Sequence, residues 1–181
     1  MLGTGTYFKN KGKYGLAKTQ YEGVARMAQW WREEEGVAAG QEAGARIARL
    51  EKLIEVDGPR ADWDKKLDSS RKRVADLRST NFDLWLLQIR ALTAAGEMAE
   101  VLGKSEEAIA LYVRAFTYRS YIYHQDLSGI SEEQMADFRE WGEWPRAKLG
   151  KSGIDADEML RRAEESKKEA GEEFYATLPY L

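Results

Sequence analysis

The chain has 181 residues, of which 43% are hydrophobic and 33% charged, and its formal net charge is −3. A chain of this size can bury a core of its own, so we expect residues 1–181 to form a single soluble domain. The absence of cysteine excludes disulfides and cysteine-bound zinc, and the slight excess of acid excludes a surface that is basic throughout.

Apolar residues in the first part of the chain recur at intervals of three and four, which predicts helices. The first predicted helix covers residues 13–34, and we expect Gly36 to end it. The second covers residues 38–56 and ends at Asp57-Gly58-Pro59, because proline cannot donate a backbone hydrogen bond and glycine tolerates the cap.

The middle of the chain predicts two further helices. The third begins near Asp62, and the polar residues 79–81 are expected to end it. The fourth covers residues 82–102 and ends at Gly103. Its segment 84–92 is apolar on nearly all sides, which predicts that other helices surround it and that it lies at the centre of the fold.

The last part of the chain predicts three more helices. Ser105 is a candidate cap for the fifth, and Ser131 with Gln134 forms a capping box that opens the sixth. We expect the sixth helix to end before Pro145 and the seventh to begin at Asp155. The sequence therefore predicts an all-α fold of about seven helices in antiparallel hairpins.

Two stretches that lie 91 residues apart carry small and aromatic residues in the same order. Small residues recur where the two helices of a hairpin approach closely, and aromatic residues fill the space between them. We expect repeat-like hairpins in residues 1–34 and 82–125. The matching residues are Gly5, Phe8, Gly12, Tyr14, Ala17, Tyr21 and Val24 in the first stretch, and Gly96, Ala99, Gly103, Ser105, Ala108, Tyr112 and Ala115 in the second.

The second stretch resembles a tetratricopeptide repeat. The residues at that family's small and aromatic positions are Gly96, Gly103, Ala108, Tyr112 and Ala115. The resemblance implies a bundle of helical hairpins in which Gly96 and Ala108 let the helices touch and Gly103 makes the turn. It also implies a groove for peptides or partner helices. The sequence departs from the family at Ser120, which replaces the closing proline.

Two alternative functions come from other parts of the sequence. Residues 41–50 and 79–85 are similar to the late part of Bro1 domains, helical scaffolds that recruit membrane-remodelling machinery, but the match ends after Trp85. A basic N-terminal arm indicates contact with RNA or an anionic membrane surface as a further alternative. Its residues are Lys9, Lys11, Lys13 and Lys18.

Aromatic residues supply the candidate partner-binding surface. Trp30 and Trp31 are adjacent and point about 100° apart on a helix, so at most one of them can face the core fully. Exposed aromatic side chains are typical of protein interfaces. The candidate residues are Trp30, Tyr118, Tyr121, Trp141, Trp144, Phe174, Tyr175 and Tyr180. We expect the apolar end, residues 174–181, to be a docking tail on this chain or on a neighbouring one.

The sequence offers little for catalysis. His124 is the only histidine, and the Gly3-x-Gly5 pattern follows no strand as a phosphate loop would. We therefore predict no catalytic residue, no cofactor and no metal. The predicted function is a non-catalytic adaptor or accessory subunit of a larger protein assembly, with protein partners rather than nucleic acid or a small-molecule substrate. We expect it inside the cell, in the cytoplasm or the interior of an organelle.

Overall fold

The computed structural model describes residues 2–123, 127 and 129–169. Every regular element in this part of the chain is a helix, which confirms the predicted all-α class. The helices are α1 (Gly3–Asn10), α2 (Tyr14–Trp30), a π-helical segment (Trp31–Gly36), α3 (Val37–Asp57), α4 (Ala61–Val101), α5 (Ser105–Tyr123), α6 (Glu132–Lys151) and α7 (Ala156–Glu169). Because α2, the π-helical segment and α3 are continuous, the described residues form six helical rods rather than seven.

Helix α4 is the centre of the fold. It is 41 residues long and packs against α2, α3, α5 and α6. Along its second half, Ile89, Ala91, Ala95 and Ala99 have no exposed surface. The apolar segment 84–92 therefore lies where its composition predicts, among other helices.

The predicted break at Gly36 is wrong, because the chain passes through it without leaving the helical path. The turn that contains Gly36 is π-helical, so it contains more residues than a turn of α-helix. A Cβ atom on Gly36 would lie 3.3 Å from the ring of Trp31. Glycine therefore serves here to admit the Trp31 side chain, and α3 follows directly.

The predicted breaks at residues 79–81 and at Pro145 are also wrong. The Thr80 hydroxyl donates to the Asp76 carbonyl one turn earlier at 2.9 Å, which satisfies this polar group inside the helix. Pro145 lies inside α6 and is buried, so its packing outweighs the backbone hydrogen bond that proline cannot donate. As a result, α4 and α6 are longer than their sequences predict.

Three hairpin turns have the same construction. Gly12, Gly103 and Gly153 each take a positive φ, of 68°, 73° and 76°, which glycine adopts at low cost. After each glycine the next backbone N–H donates to a carbonyl five residues earlier, and the distances are 2.9, 2.9 and 3.0 Å. These turns reverse the chain between α1 and α2, between α4 and α5, and between α6 and α7. Gly12 and Gly103 occupy corresponding positions in the two matching stretches, whereas Gly153 lies outside both stretches.

Candidate protein-binding surface

A groove of about 230 Å³ lies between α1, α4 and α6. Two residues of α6 that the sequence singles out, Trp141 and Trp144, form part of its lining. Helix α4 forms the floor. The other lining residues are Leu2, Thr6, Lys9 and Asn10 from α1 and its start, Tyr21 from α2, and Arg90, Ala94 and Glu97 from α4.

Helix α6 presents its two tryptophans together because they are three residues apart on one face. Their ring centroids are 5.3 Å apart, with the planes inclined at 61°. The neighbouring stripe of α6 faces inward, where Phe138 makes an edge-on contact with Phe82 of α4 at 5.8 Å. Both tryptophans are half-buried, so they flank the buried stripe and stay accessible from the groove.

The start of α6 is held on α4 by its cap. The predicted capping box is confirmed: the Ser131 hydroxyl accepts from the Gln134 N–H, and the Gln134 side chain accepts from the Ser131 N–H, both at 3.1 Å. The Gln134 amide also donates to the Ser79 hydroxyl at 2.9 Å and to Asp83 at 2.6 Å. These bonds fix where α6 begins and therefore where its tryptophans lie.

Arg90 gives the groove a cation with no anionic partner among the described residues. Its guanidinium carbon lies 4.1 Å from the centroid of the Trp141 ring, and its Nε is buried without a hydrogen-bond partner in the part of the chain that the structure describes. By contrast, the groove's Glu97 is paired with Lys148 at 2.9 Å and with Lys9 at 3.5 Å. The groove therefore combines an aromatic wall with a cation that is available to an acceptor.

The remaining candidate residues fall in other places. Trp30 is 55% exposed at the end of α2 and does not line the groove. Tyr118 and Tyr121 lie beside each other against Trp85, with centroid distances of 5.1 and 5.0 Å. Tyr118 is only 2% exposed, because α5 turns it inward onto Trp85, and this corrects its assignment to the partner-binding surface.

The structure thus brings Trp141 and Trp144 together, and Tyr118 and Tyr121 together, but neither tyrosine lines the groove. His124 and the predicted docking tail, residues 174–181 with Phe174, Tyr175 and Tyr180, lie outside the described residues.

The sequence reasoning missed a buried arginine next to the two tyrosines. Arg32, in the π-helical segment, is only 8% exposed, and its guanidinium carbon lies 3.2 Å from the centroid of the Trp85 ring. Its Nη2 donates to Gln88 Oε1 at 3.0 Å. Burial lowers the pKa of Arg32 to about 10, against the opposing influence of nearby Tyr118. The spacing of the buried residues of α2 could have predicted this burial. Ala28 is buried, and position 32 lies four residues later on the same face.

The basic N-terminal arm is partly neutralised. Lys18 makes ion pairs with Glu107 at 2.6 Å and with Glu22 at 2.9 Å. Lys9 pairs with Glu97, as described above. Two of the four lysines that indicated a contact with RNA or a membrane therefore already face carboxylates.

In the part of the chain that the structure describes, histidine, aspartate and glutamate form no group of three that could hold a metal ion. Nor does any helix among the described residues have the length and apolar character needed to cross a bilayer. No protein-family model, curated protein or solved structure significantly matches the chain.

Proposed function

We propose that this chain is a non-catalytic interaction scaffold, an adaptor or accessory subunit of a larger assembly, and that the groove between α1, α4 and α6 receives a segment of a protein partner. The observation that carries the proposal is the juxtaposition of Trp141, Trp144 and Arg90 in that groove. Two half-buried rings and a cation without an anionic partner among the described residues meet there.

The chemistry of these residues favours a protein partner. Tryptophan and arginine are the residue types most enriched at the energetic centres of protein interfaces. A volume of about 230 Å³ lies below the roughly 300–1,000 Å³ of pockets that enclose a drug-sized ligand. It suits one or two side chains of a peptide. The expected segment carries an apolar side chain for the tryptophans and an acidic side chain for Arg90.

The architecture that we propose is a divergent relative of the tetratricopeptide repeat. Two features support it: the same glycine turn at Gly12 and Gly103, and the contact of Gly5 with Tyr21 and of Gly96 with Tyr112. Proteins built from such hairpins commonly bind peptides in a groove, which is the role proposed here. The cysteine-free composition is compatible with a reducing compartment, so we propose an intracellular location.

A peptide selection tests the proposal. The chain is immobilised and a library of short random peptides is selected against it, and the affinity of the enriched peptides is measured by fluorescence polarisation. We expect enrichment of peptides with an aromatic or aliphatic residue near an acidic one. Truncation of two anchor residues in W141A/W144A should weaken binding at least about tenfold.

Trp63 provides the matched control. It is half-buried, and the guanidinium of Arg60 lies over its ring at 4.6 Å, much as Arg90 lies over Trp141. W63A should bind the selected peptides as the unsubstituted chain does. Equal losses of peptide affinity in W63A and W141A/W144A would count against binding in the groove. Tight binding to RNA or anionic vesicles that collapses with added salt would favour the basic-arm alternative instead.

A further inference from the structure

We infer that a second cavity, beside the π-helical segment, is a binding site for an aliphatic carboxylate. Its volume is about 230 Å³, and it opens between the π-helical segment with the start of α3 on one side and α4 on the other. The described residues that line it are all different from those that line the groove of Trp141 and Trp144, so this inference does not rest on the proposed function. Six of the residues around it are Arg32, Gly36, Gly40, Val74, Arg78 and Asn81.

The cation in this cavity has no counter-ion among the described residues. Arg32 is 8% exposed, and no described carboxylate lies within 4.0 Å of its guanidinium. A buried cation is destabilising unless charge or hydrogen bonds compensate it. Burial is the largest cause of the lowered pKa of Arg32, and this agrees with a charge that its surroundings compensate only in part. An anion in the cavity would supply the missing compensation.

Two N–H donors of the Arg32–Gln88 pair remain without acceptors among the residues that the structure describes. Arg32 Nε and Gln88 Nε2 are buried and have no hydrogen-bond partner in the described part of the chain, and of these two side chains Arg32 is the one that lines the cavity. Among the described residues, the cavity lining contains Arg32, Arg78 and Asn81 but no acidic residue, and since Arg78 already has an interaction of its own, Arg32 is the cation that the inference uses. A cluster that is rich in donors and positive charge is complementary to an anion.

The shape of the cavity favours a carboxylate on a short alkyl chain. The Trp85 ring covers one face of the Arg32 guanidinium and Gln88 Oε1 accepts from its Nη2, so the remaining N–H groups at the edge of the guanidinium are left for a carboxylate oxygen. Val37, Val74 and Leu77 supply an apolar wall for the alkyl part. A Cβ atom on Gly40 would meet nothing within 4 Å, so that side of the cavity is open.

The test follows the Nε–H resonance of Arg32 in nitrogen-15 NMR of the full chain. The probes are butyrate, which represents a free metabolite, and N-acetylglutamate N-methylamide, which represents a glutamate of a protein partner. Both are titrated at constant ionic strength against chloride. We expect a saturable shift of the Arg32 resonance with at least one probe and none with chloride. The tighter probe identifies the source of the carboxylate, and a shift with neither probe would overturn the inference.

Two matched glycine variants separate cavity filling from general effects. Gly40 and Gly44 are one turn apart on α3, and a Cβ atom at either position meets nothing within 4 Å. Only Gly40 lines the cavity. G40L should weaken carboxylate binding about tenfold or more, and G44L should leave it unchanged. Equal affinity in the two variants would contradict the site. R32K retains the charge but not the guanidinium, so its binding is followed through the side-chain amide of Asn81, which also lines the cavity, and it should be weaker.

Discussion

The ring of Tyr112 lies directly against Gly96, so that a Cβ atom at position 96 would come within 3.0 Å of three ring atoms. Tyr112 has no exposed surface and cannot swing away from an added methyl group. The same relationship recurs between Gly5 and Tyr21 in the first hairpin, again with three ring atoms within 3.0 Å. In both hairpins a glycine on one helix lets the tyrosine of the next helix lie against the backbone, and this contact sets the distance between the two helices.

Gly96→Ala should therefore destabilise the protein although alanine favours helix. Overpacking in a filled core costs about 1–3 kcal/mol, which exceeds the roughly 0.5–1 kcal/mol that alanine gains over glycine in a helix. Urea unfolding gives the free energy of unfolding. Gly44→Ala is the control, because its new methyl group meets nothing within 4 Å and should stabilise α3. A Gly96→Ala variant as stable as Gly44→Ala would show that the close approach is not needed.

A second prediction concerns the hydrogen bond between Arg32 and Gln88. Arg32→Met alone leaves Gln88 buried at 0% exposure and removes the side-chain hydrogen bond that it accepts from Arg32, which should cost about 1–3 kcal/mol. The double variant R32M/Q88M removes both polar groups and should recover at least about 1 kcal/mol of this loss. The free energies of unfolding of the three proteins are compared in urea. A double variant no more stable than R32M would mean that the packing of Arg32 on Trp85 dominates.

The ion pair between α2 and α5 predicts a dependence of stability on pH. Hydrogen bonds from Lys18 and then Lys104 lower the pKa of Glu107 below its usual value of 4.5. The carboxylate then takes up a proton less readily in the folded chain than in the unfolded one. Its stabilisation is therefore complete above about pH 4.5 and is lost as the pH falls through the lowered value.

Glu107→Gln should accordingly flatten the decline in the free energy of unfolding between neutral pH and about pH 3. Glu106→Gln is the control, since Glu106 is the preceding residue and makes no ion pair with a described residue. If both variants lose stability with acid as steeply as the unsubstituted chain, the ion pair does not contribute.

Local signals predict several turns and caps of this fold, because each depends on a few neighbouring residues. The prediction of Ser105 as a cap is wrong, since Ser105 is the first residue of α5 and the Lys104 carbonyl accepts from Ala108 N–H. Gly103 takes the left-handed conformation, and the Asp155 carboxylate accepts from the backbone N–H groups of Asp157 and Glu158 at 3.1 Å, as a helix cap should. Gly36 and Pro145 mislead for the opposite reason. Whether glycine or proline ends a helix depends on what surrounds it: Gly36 admits the Trp31 ring within a π-helical turn, and Pro145 is buried inside α6.

The candidate site is predictable only in part. The spacing of Trp141 and Trp144 places them on one face of α6, but the groove also needs α1, whose position follows from the glycine contacts of the first hairpin. The inward turn of Tyr118 depends on Trp85, which lies on another helix. Arg32 escapes notice because charged residues are almost always exposed, and its burial results from packing between the π-helical segment and α4.

The groove can be tested most directly by fluorine NMR of the chain labelled with 5-fluorotryptophan. The six tryptophans give six resonances, which single tryptophan-to-phenylalanine substitutions assign. When a peptide from the selection is added, the resonances of Trp141 and Trp144 should shift together and saturate at one stoichiometry, while those of Trp63 and Trp30 stay in place. Shifts confined to Trp30 or Trp63, with Trp141 and Trp144 unmoved at saturation, would contradict binding in the groove.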